Sequence, residues 1–321
     1  MRTAILDLGT NTFNLLITET GQGNSARIIL SRKEPVKLGM GGINRGEITP
    51  DAFERGLVAM GNHMKHIRYY RADQIHAFAT SAIRSARNGT EFVDALQRDF
   101  NIGVRIISGN KEAELIYLGV RQAVCMGRDK HLIIDIGGGS IEMIIADDDR
   151  IFWKESFPLG MARLLDRFQP SDPIGGNELL AIENYISQSL DSFFEAAMIH
   201  KPVTLIGSSG SFDTFRALIA AGKKCAESPS QIPHFRFSPE DFFRLYGSLV
   251  NSTAGQRLAM EGMDPMRVEM IVIAGIFVNF IVRRLNISLL IQSDFALKEG
   301  AVVDILKQDI KSPQQENKLS C

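Results

Sequence analysis

The apolar positions nearest the N-terminus fall into two short runs joined by a polar turn. Ala4-Ile-Leu-Asp7-Leu runs into Gly9-Thr10-Asn11-Thr12, and Phe13-Asn14-Leu-Leu-Ile17 leaves it. Two such runs around a Gly-containing turn predict a β-hairpin. The pattern returns without gaps at Leu132-Ile-Ile-Asp135-Ile-Gly137-Gly138-Gly139-Ser140-Ile-Glu142-Met-Ile-Ile145. The offset is about a domain length, which points to a duplicated domain rather than a solenoid.

The segments after the two hairpins are also similar. After the first, the pattern predicts a strand over 27–33 and a helix from Thr49-Pro50-Asp51 to about Tyr70. A strand over 74–78, a helix near 90–100, a strand over 104–107 and a helix over 111–125 complete that half. Thr49 before Pro50 is a capping residue followed by a first-turn proline. After the second hairpin come a strand over 151–157, helices near 161–168 and 176–199, and a strand over 203–206. A helix from Ser211, long helices over 239–251 and 265–285, a strand over 289–292 and a last helix over 297–310 complete the second half. Three strands and then alternating helices and strands, twice over, define an α/β class with a mixed sheet in each lobe. The expected boundaries are 1–125 for an N-terminal domain and 126–310 for a C-terminal one, with a flexible tail over 311–321. The helix over 297–310 is a candidate to pack back on the first domain. The Pro- and Ser-rich stretches 169–175 and 226–238 read as exposed linkers.

Composition changes this picture little. The 321 residues are 45% hydrophobic and 23% charged with a net charge of −1, so nothing in the totals calls for nucleic acid or an anionic membrane. The longest apolar run, Met270 to Val282, is interrupted by Asn279 and is short of a membrane span. No signal peptide precedes the first strand, and the three cysteines (Cys125, Cys225, Cys321) lie far apart. Both features are expected of a reducing, cytoplasmic setting. The helices over 239–251 and 265–285 are rich in Phe, Met, Ile and Val, which reads as core packing; an exposed stripe on them would support a homodimer.

The chemistry concentrates in the hairpins. Asp7 and Asp135 each end an apolar strand, where a carboxylate is costly without a cation or backbone N–H partner. One such aspartate is as readily a cap of its own turn; two in the same register point to a divalent-ion site in a cleft between lobes. The loops Gly9–Thr12 and Gly137–Ser140 can turn backbone N–H groups toward phosphate oxygens. A third small-residue turn, Gly207-Ser208-Ser209-Gly210, precedes a helix whose N-terminus favours anions. Ala79-Thr80-Ser81-Ala82-Ile83-Arg84 puts hydroxyls and an arginine at a strand end. Ser108-Gly-Asn-Lys111-Glu112-Ala-Glu114 enters a helix, and Glu112 and Glu114 stand as equal candidates there, either of them serving the helix dipole. His63 and His66, one turn apart without a third ligand, read as helix surface. There is no Gly-x-x-x-x-Gly-Lys-Ser/Thr loop.

Taken together, segments 7–16, 79–84, 107–117, 134–142 and Ser293-Asp-Phe-Ala-Leu-Lys-Glu-Gly300 resemble the exopolyphosphatase / guanosine pentaphosphate phosphohydrolase family along essentially the whole chain. The resemblance implies two actin-like (ribonuclease H-like, sugar kinase and heat-shock-type ATPase) domains with a cleft between them. It implies Glu112 as the general base that activates water, and Asp135, Glu142 and Asp7 as the carboxylates that handle Mg2+ (or Mn2+). Ser81, Arg84 and the turns Gly9–Thr12, Gly137–Ser140 and Gly207–Gly210 become the expected phosphate cradle. Arg45, Arg84, Arg87 and Lys111 are candidates for a basic groove. The implied substrate is inorganic polyphosphate, with guanosine pentaphosphate as the alternative; an actin-fold kinase and a non-catalytic sensor are the further readings. Two departures stand out. Lys111 replaces a second acid that family members often carry, and the third turn, with Ser208 to Ser211, is a loose version of the family pattern. The chain also ends about where longer members add a helical domain.

Overall fold

The computed structural model describes residues 1–21, 26–223 and 232–311. Beyond Lys311 the expected tail lies outside the described residues. The N-terminal half contains β1 (Arg2–Leu8), β2 (Thr12–Thr20), β3 (Ala26–Pro35), α1 (Pro50–Tyr69), β4 (Gln74–Ala79), α2 (Ser81–Ser85), α3 (Gly89–Phe100), β5 (Val104–Ile106) and α4 (Gly109–Ala123). The C-terminal half contains β6 (His131–Ile136), β7 (Ile141–Ala146), β8 (Ile151–Phe157), α5 (Met161–Phe168), α6 (Gly176–Ser189), α7 (Asp191–His200), β9 (Thr204–Ser208) and α8 (Ser209–Gly222). It continues with β10 (His234–Phe237), α9 (Pro239–Val250), α10 (Ala254–Leu258), α11 (Met270–Leu285), β11 (Leu289–Ser293) and α12 (Leu297–Lys311).

The two sheets repeat one topology. In the first the order is β3-β2-β1-β4-β5; in the second β8-β7-β6-β9-β11 has the same sense, with β10 added at the edge. In each, a three-stranded antiparallel meander is followed by strands parallel to its first member. Register is conserved as well: Asp7 lies across from Asn14 in the first hairpin, and Asp135 across from Glu142 in the second. This duplicated α/β architecture is the actin-like one.

Packing explains the alternation. β6 and β7 are buried on both faces, so they read as continuous apolar runs. One face of the first sheet packs on α1 and α3, and one face of the second on the helices around α11. A third apolar cluster joins the inner faces of both sheets through Ile5, Leu16, Ile133, Ile144, α4 and α12. There α4 and α12 touch backbone to backbone: a Cβ at Gly119 would lie 1.9 Å from the Ala296 carbonyl oxygen, and one at Gly300 would lie 1.7 Å from that of Leu115. This glycine crossing forms the base of the interlobe cleft.

Some expectations change. The helix over 176–199 is two helices, because Leu190 leaves helical angles (φ −118°, ψ 24°) and buries its side chain in the core. The helix over 265–285 begins at Met270; before it, the Asp264 side chain caps a turn by accepting from the Met266 N–H at 2.9 Å. The stretch 226–238 is no simple linker: its residues 234–237 form β10, whose Phe235 and Phe237 pair with Gln292 and Leu290. Residues 226–231 of that stretch lie outside the described residues. The apolar faces of α9 and α11 are core, with Phe242, Tyr246, Ile271, Phe277 and Ile281 buried. His63 is not at the surface: it is fully buried, with Nε2 3.0 Å from the Phe13 carbonyl oxygen. The i, i+4 spacing from Ala59 places it on the inner face of α1.

Candidate active site

The two hairpin turns meet between the lobes and line a cavity of about 320 Å³, together with Thr80, Ser81, Glu112, Ser209 and Gly210. Their approach is close. A Cβ on Gly139 would lie 2.6 Å from the hydroxyl oxygens of both Ser81 and Thr10, and one on Gly138 would lie 2.4 Å from Asn11 Nδ2. The second loop therefore needs glycine at these positions to let the first loop stand against it.

Asp7 and Asp135 line the cavity from opposite sheets. Burial pushes the Asp7 carboxyl up to about 6, against the Lys298 cation and a 2.9 Å hydrogen bond from Asn14. Burial also raises Asp135, opposed by hydroxyls of Ser208 (2.6 Å) and Ser209 (2.7 Å) that donate to its Oδ2. Glu142 sits behind its loop instead of lining the cavity, accepting from Ser140 and Ser156 at 2.7 Å each. Burial and then the charge of Asp135 push it up to about 7.

Glu112 occupies the first turn of α4, whose N-cap is Ser108. Its side chain is buried and its Oε2 accepts from Arg84 Nη1 at 2.8 Å. Burial and the nearby Glu142 raise its pKa well above the ordinary glutamate value, while Arg84 works against them. Three raised carboxyls lining one cavity, with Glu142 behind them, favour a cation or protons arriving with the ligand. Among the described residues, no three His, Cys, Asp or Glu side chains converge as a ready chelate. Hard oxygen donors on two facing loops, without such a chelate, suit a divalent ion that shares its coordination with water and substrate oxygens.

Several expected cradle residues stand elsewhere. Arg84 divides its Nη1 between Glu112 and the Ile107 carbonyl oxygen, so it holds the glutamate and does not line the cavity. Gly207 and Ser208 also lie off the cavity: a Cβ on Gly207 would meet the Phe212 ring at 2.1 Å, and Ser208 serves Asp135. Of the expected basic groove, Arg45 and Arg87 pair with Glu47, and Lys111 pairs with Asp304 at 3.0 Å. The cations that do line the cavity are Lys33, Arg267 and Lys298. Lys298 lies in the 293–300 segment singled out in the sequence. Lys33 and Arg267 had no local signal. Lys33 is also tied across the cleft to Asp213 at 3.2 Å.

Two duplicated lobes, with glycine loops and acids facing one cavity, define a phosphate-handling protein of the actin-like class. The profile of the Ppx/GppA phosphatase family matches residues 16–309, and the chain belongs to that family. It is similar to a crystal structure described as an exopolyphosphatase from Cytophaga hutchinsonii (35% identity, 96% of this chain and 98% of that one, TM-score 0.93). It is also similar to Exopolyphosphatase 1 of Mycobacterium leprae (25% identity over 304 residues, 94% of this chain and 89% of that protein). Exopolyphosphatase 2 of Mycobacterium tuberculosis is 26% identical over 294 residues, covering 89% of this chain and 91% of its own. The Aquifex aeolicus Ppx/GppA family member shares the fold at 24% identity (96% of this chain, 98% of that one) with a TM-score of 0.77. No helix among the described residues is long and apolar enough to cross a membrane.

Proposed function

We propose that the protein is an exopolyphosphatase, hydrolysing the terminal phosphoanhydride of inorganic polyphosphate and releasing orthophosphate. The observation that carries this reading is Glu112: a buried carboxylate at the cavity wall, held by Arg84 at 2.8 Å beside both glycine loops. Ionised, it orients a water for attack on the terminal phosphorus and takes its proton, a role worth roughly 10²–10⁴ in rate. Backbone N–H groups of the two loops, the hydroxyls of Thr10, Thr12 and Ser81, and the cations Lys33, Arg267 and Lys298 hold the phosphates in line, while the Ser140 hydroxyl is spent on Glu142. Positioning and charge neutralisation then supply most of the catalysis. Asp7 and Asp135, with Glu142 behind them, would hold Mg2+ (or Mn2+), which when bound offsets phosphate charge.

The test is phosphate release from polyphosphate with and without magnesium, for wild type and Glu112→Gln. The expected result is a loss of about 10²–10⁴ in kcat on the substitution; undiminished turnover would sink the assigned role. Guanosine pentaphosphate presents the same linear terminus, and a side-by-side kcat/KM for the two substrates decides between them. Binding without turnover would mark a sensor, and transfer of labelled phosphate from ATP to an acceptor would mark a kinase.

A further inference from the structure

One residue of α5 links the two lobes beside the cleft. The Arg163 guanidinium donates three hydrogen bonds to three separate segments. Nε reaches the Gly139 carbonyl oxygen in the second loop at 2.8 Å. Nη1 reaches the Ile43 carbonyl oxygen, in a short 3-10 turn of the first lobe, at 2.8 Å. Nη2 reaches Ser85 Oγ, at the end of α2, also at 2.8 Å. Asn44 completes the junction from the first lobe, its Nδ2 donating to the Arg163 carbonyl oxygen (3.0 Å) and to Asp166 (2.8 Å). No other cation ties a phosphate-loop carbonyl and both flanks of the opposite lobe at once among the described residues.

The chain neighbours of these contacts are the reacting groups. Ser85 follows Arg84, which holds Glu112, and Gly139 lies in the loop that faces Ser81 and Thr10. The planar fork of arginine can satisfy all three acceptors only when the two lobes stand at one separation. We infer that Arg163 is a positioning residue, an interlobe latch anchored on its own lobe at Gly139, whose two bonds to the first lobe form only in the closed cleft and set Glu112 against the second phosphate loop. It touches no cavity-lining charge itself, so its loss acts on turnover more than on binding. A lysine, with a single ammonium head, cannot span the three acceptors and does not restore the latch. The catalytic half of this inference rests on the hydrolase reading above.

The experiment pairs a distance with a rate. Spin labels go on cysteines introduced at the exposed positions Asp94 and Glu195, one per lobe, in a full-length chain whose three native cysteines are replaced by serine. The expected result for Arg163→Ala is a broader, longer interlobe distance distribution than the parent's. With inorganic polyphosphate and magnesium, kcat falls about tenfold to a hundredfold, the scale of charge-assisted hydrogen bonds, with KM little moved. Arg163→Lys keeps the melting temperature but shares the kinetic defect, and Ser85→Ala combined with Arg163→Ala costs less than the two losses added. An unchanged distance distribution, an unchanged kcat, or full rescue by lysine overturns the latch. If the parent releases no phosphate from polyphosphate, the hydrolase reading fails and the distance arm alone decides whether Arg163 holds the lobes.

Discussion

Gly300→Ala tests whether the floor of the cleft is rigid enough to set the site. The added Cβ would lie 1.7 Å from the Leu115 carbonyl oxygen, about half of an ordinary contact distance, so α12 must move off α4 by roughly 1.7 Å. The obstacle is backbone in a helix, and the surrounding residues Ile116, Val120, Leu297 and Ala301 are buried, so neither side gives way cheaply. Overpacking of this kind costs about 3 kcal/mol. For a chain of this size that corresponds to a fall of about 4–5 °C in melting temperature. The displacement also reaches the cavity, because Lys298 on α12 and Glu112 on α4 flank the crossing. A misplacement of about 1 Å at reacting groups costs about 10² in rate, so kcat/KM for phosphate release drops by that order.

Thermal melting by circular dichroism and a phosphate-release assay at a temperature where both proteins are folded give the two numbers. Gly247→Ala is the control. It lies in α9 with nothing within 4 Å of its added Cβ, and it should stabilise by about 0.5–1 kcal/mol with activity intact. If Gly300→Ala melts with the wild type and keeps its kcat/KM, the backbone contact between α4 and α12 is not what positions Glu112.

Arg84→Met removes the cation that opposes the upward push of burial on Glu112, so the acid limb of the pH–kcat/KM profile moves to higher pH; a limb that stays in place refutes the Arg84 assignment. Asp241 is the acid-stability test. Although burial works against it, hydrogen bonds from Lys223 (2.5 Å), the Ser238 N–H (3.2 Å) and Arg244 (2.6 Å) hold its carboxyl at about 2 against 3.8 unfolded. A depressed pKa stabilises above the unfolded value and is lost as pH falls through the folded one. Asp241→Asn therefore costs about 1–2 kcal/mol in urea unfolding at pH 7, discounted for the partly exposed Lys223 and Arg244, and the gap to wild type narrows between about pH 4 and pH 2.

How far these groups were legible in the sequence depends on the range of the interaction that places them. The twin hairpins were, because a strand–turn–strand unit is fixed by neighbours within a few residues, and matching registers carried Asp7 and Asp135 to matching places. Glu112 was legible only as one of two. Residues two apart on a helix point to nearly opposite faces, and only the packing of α4 turns Glu112 into the cleft and Glu114 out to Lys154. The family resemblance, rather than local pattern, made that choice. The cations were the least legible. An arginine at a strand end looks the same whether its partner is a phosphate or a carboxylate distant in sequence, and Arg84, Arg87 and Lys111 are committed to Glu112, Glu47 and Asp304. Lys33, Arg267 and Lys298 come from three segments separated by up to the length of the chain, and only the closing of one lobe on the other gives them a common cavity. The two aspartates of this site are therefore set by local turns, Glu112 by helix packing and the cations by interlobe geometry.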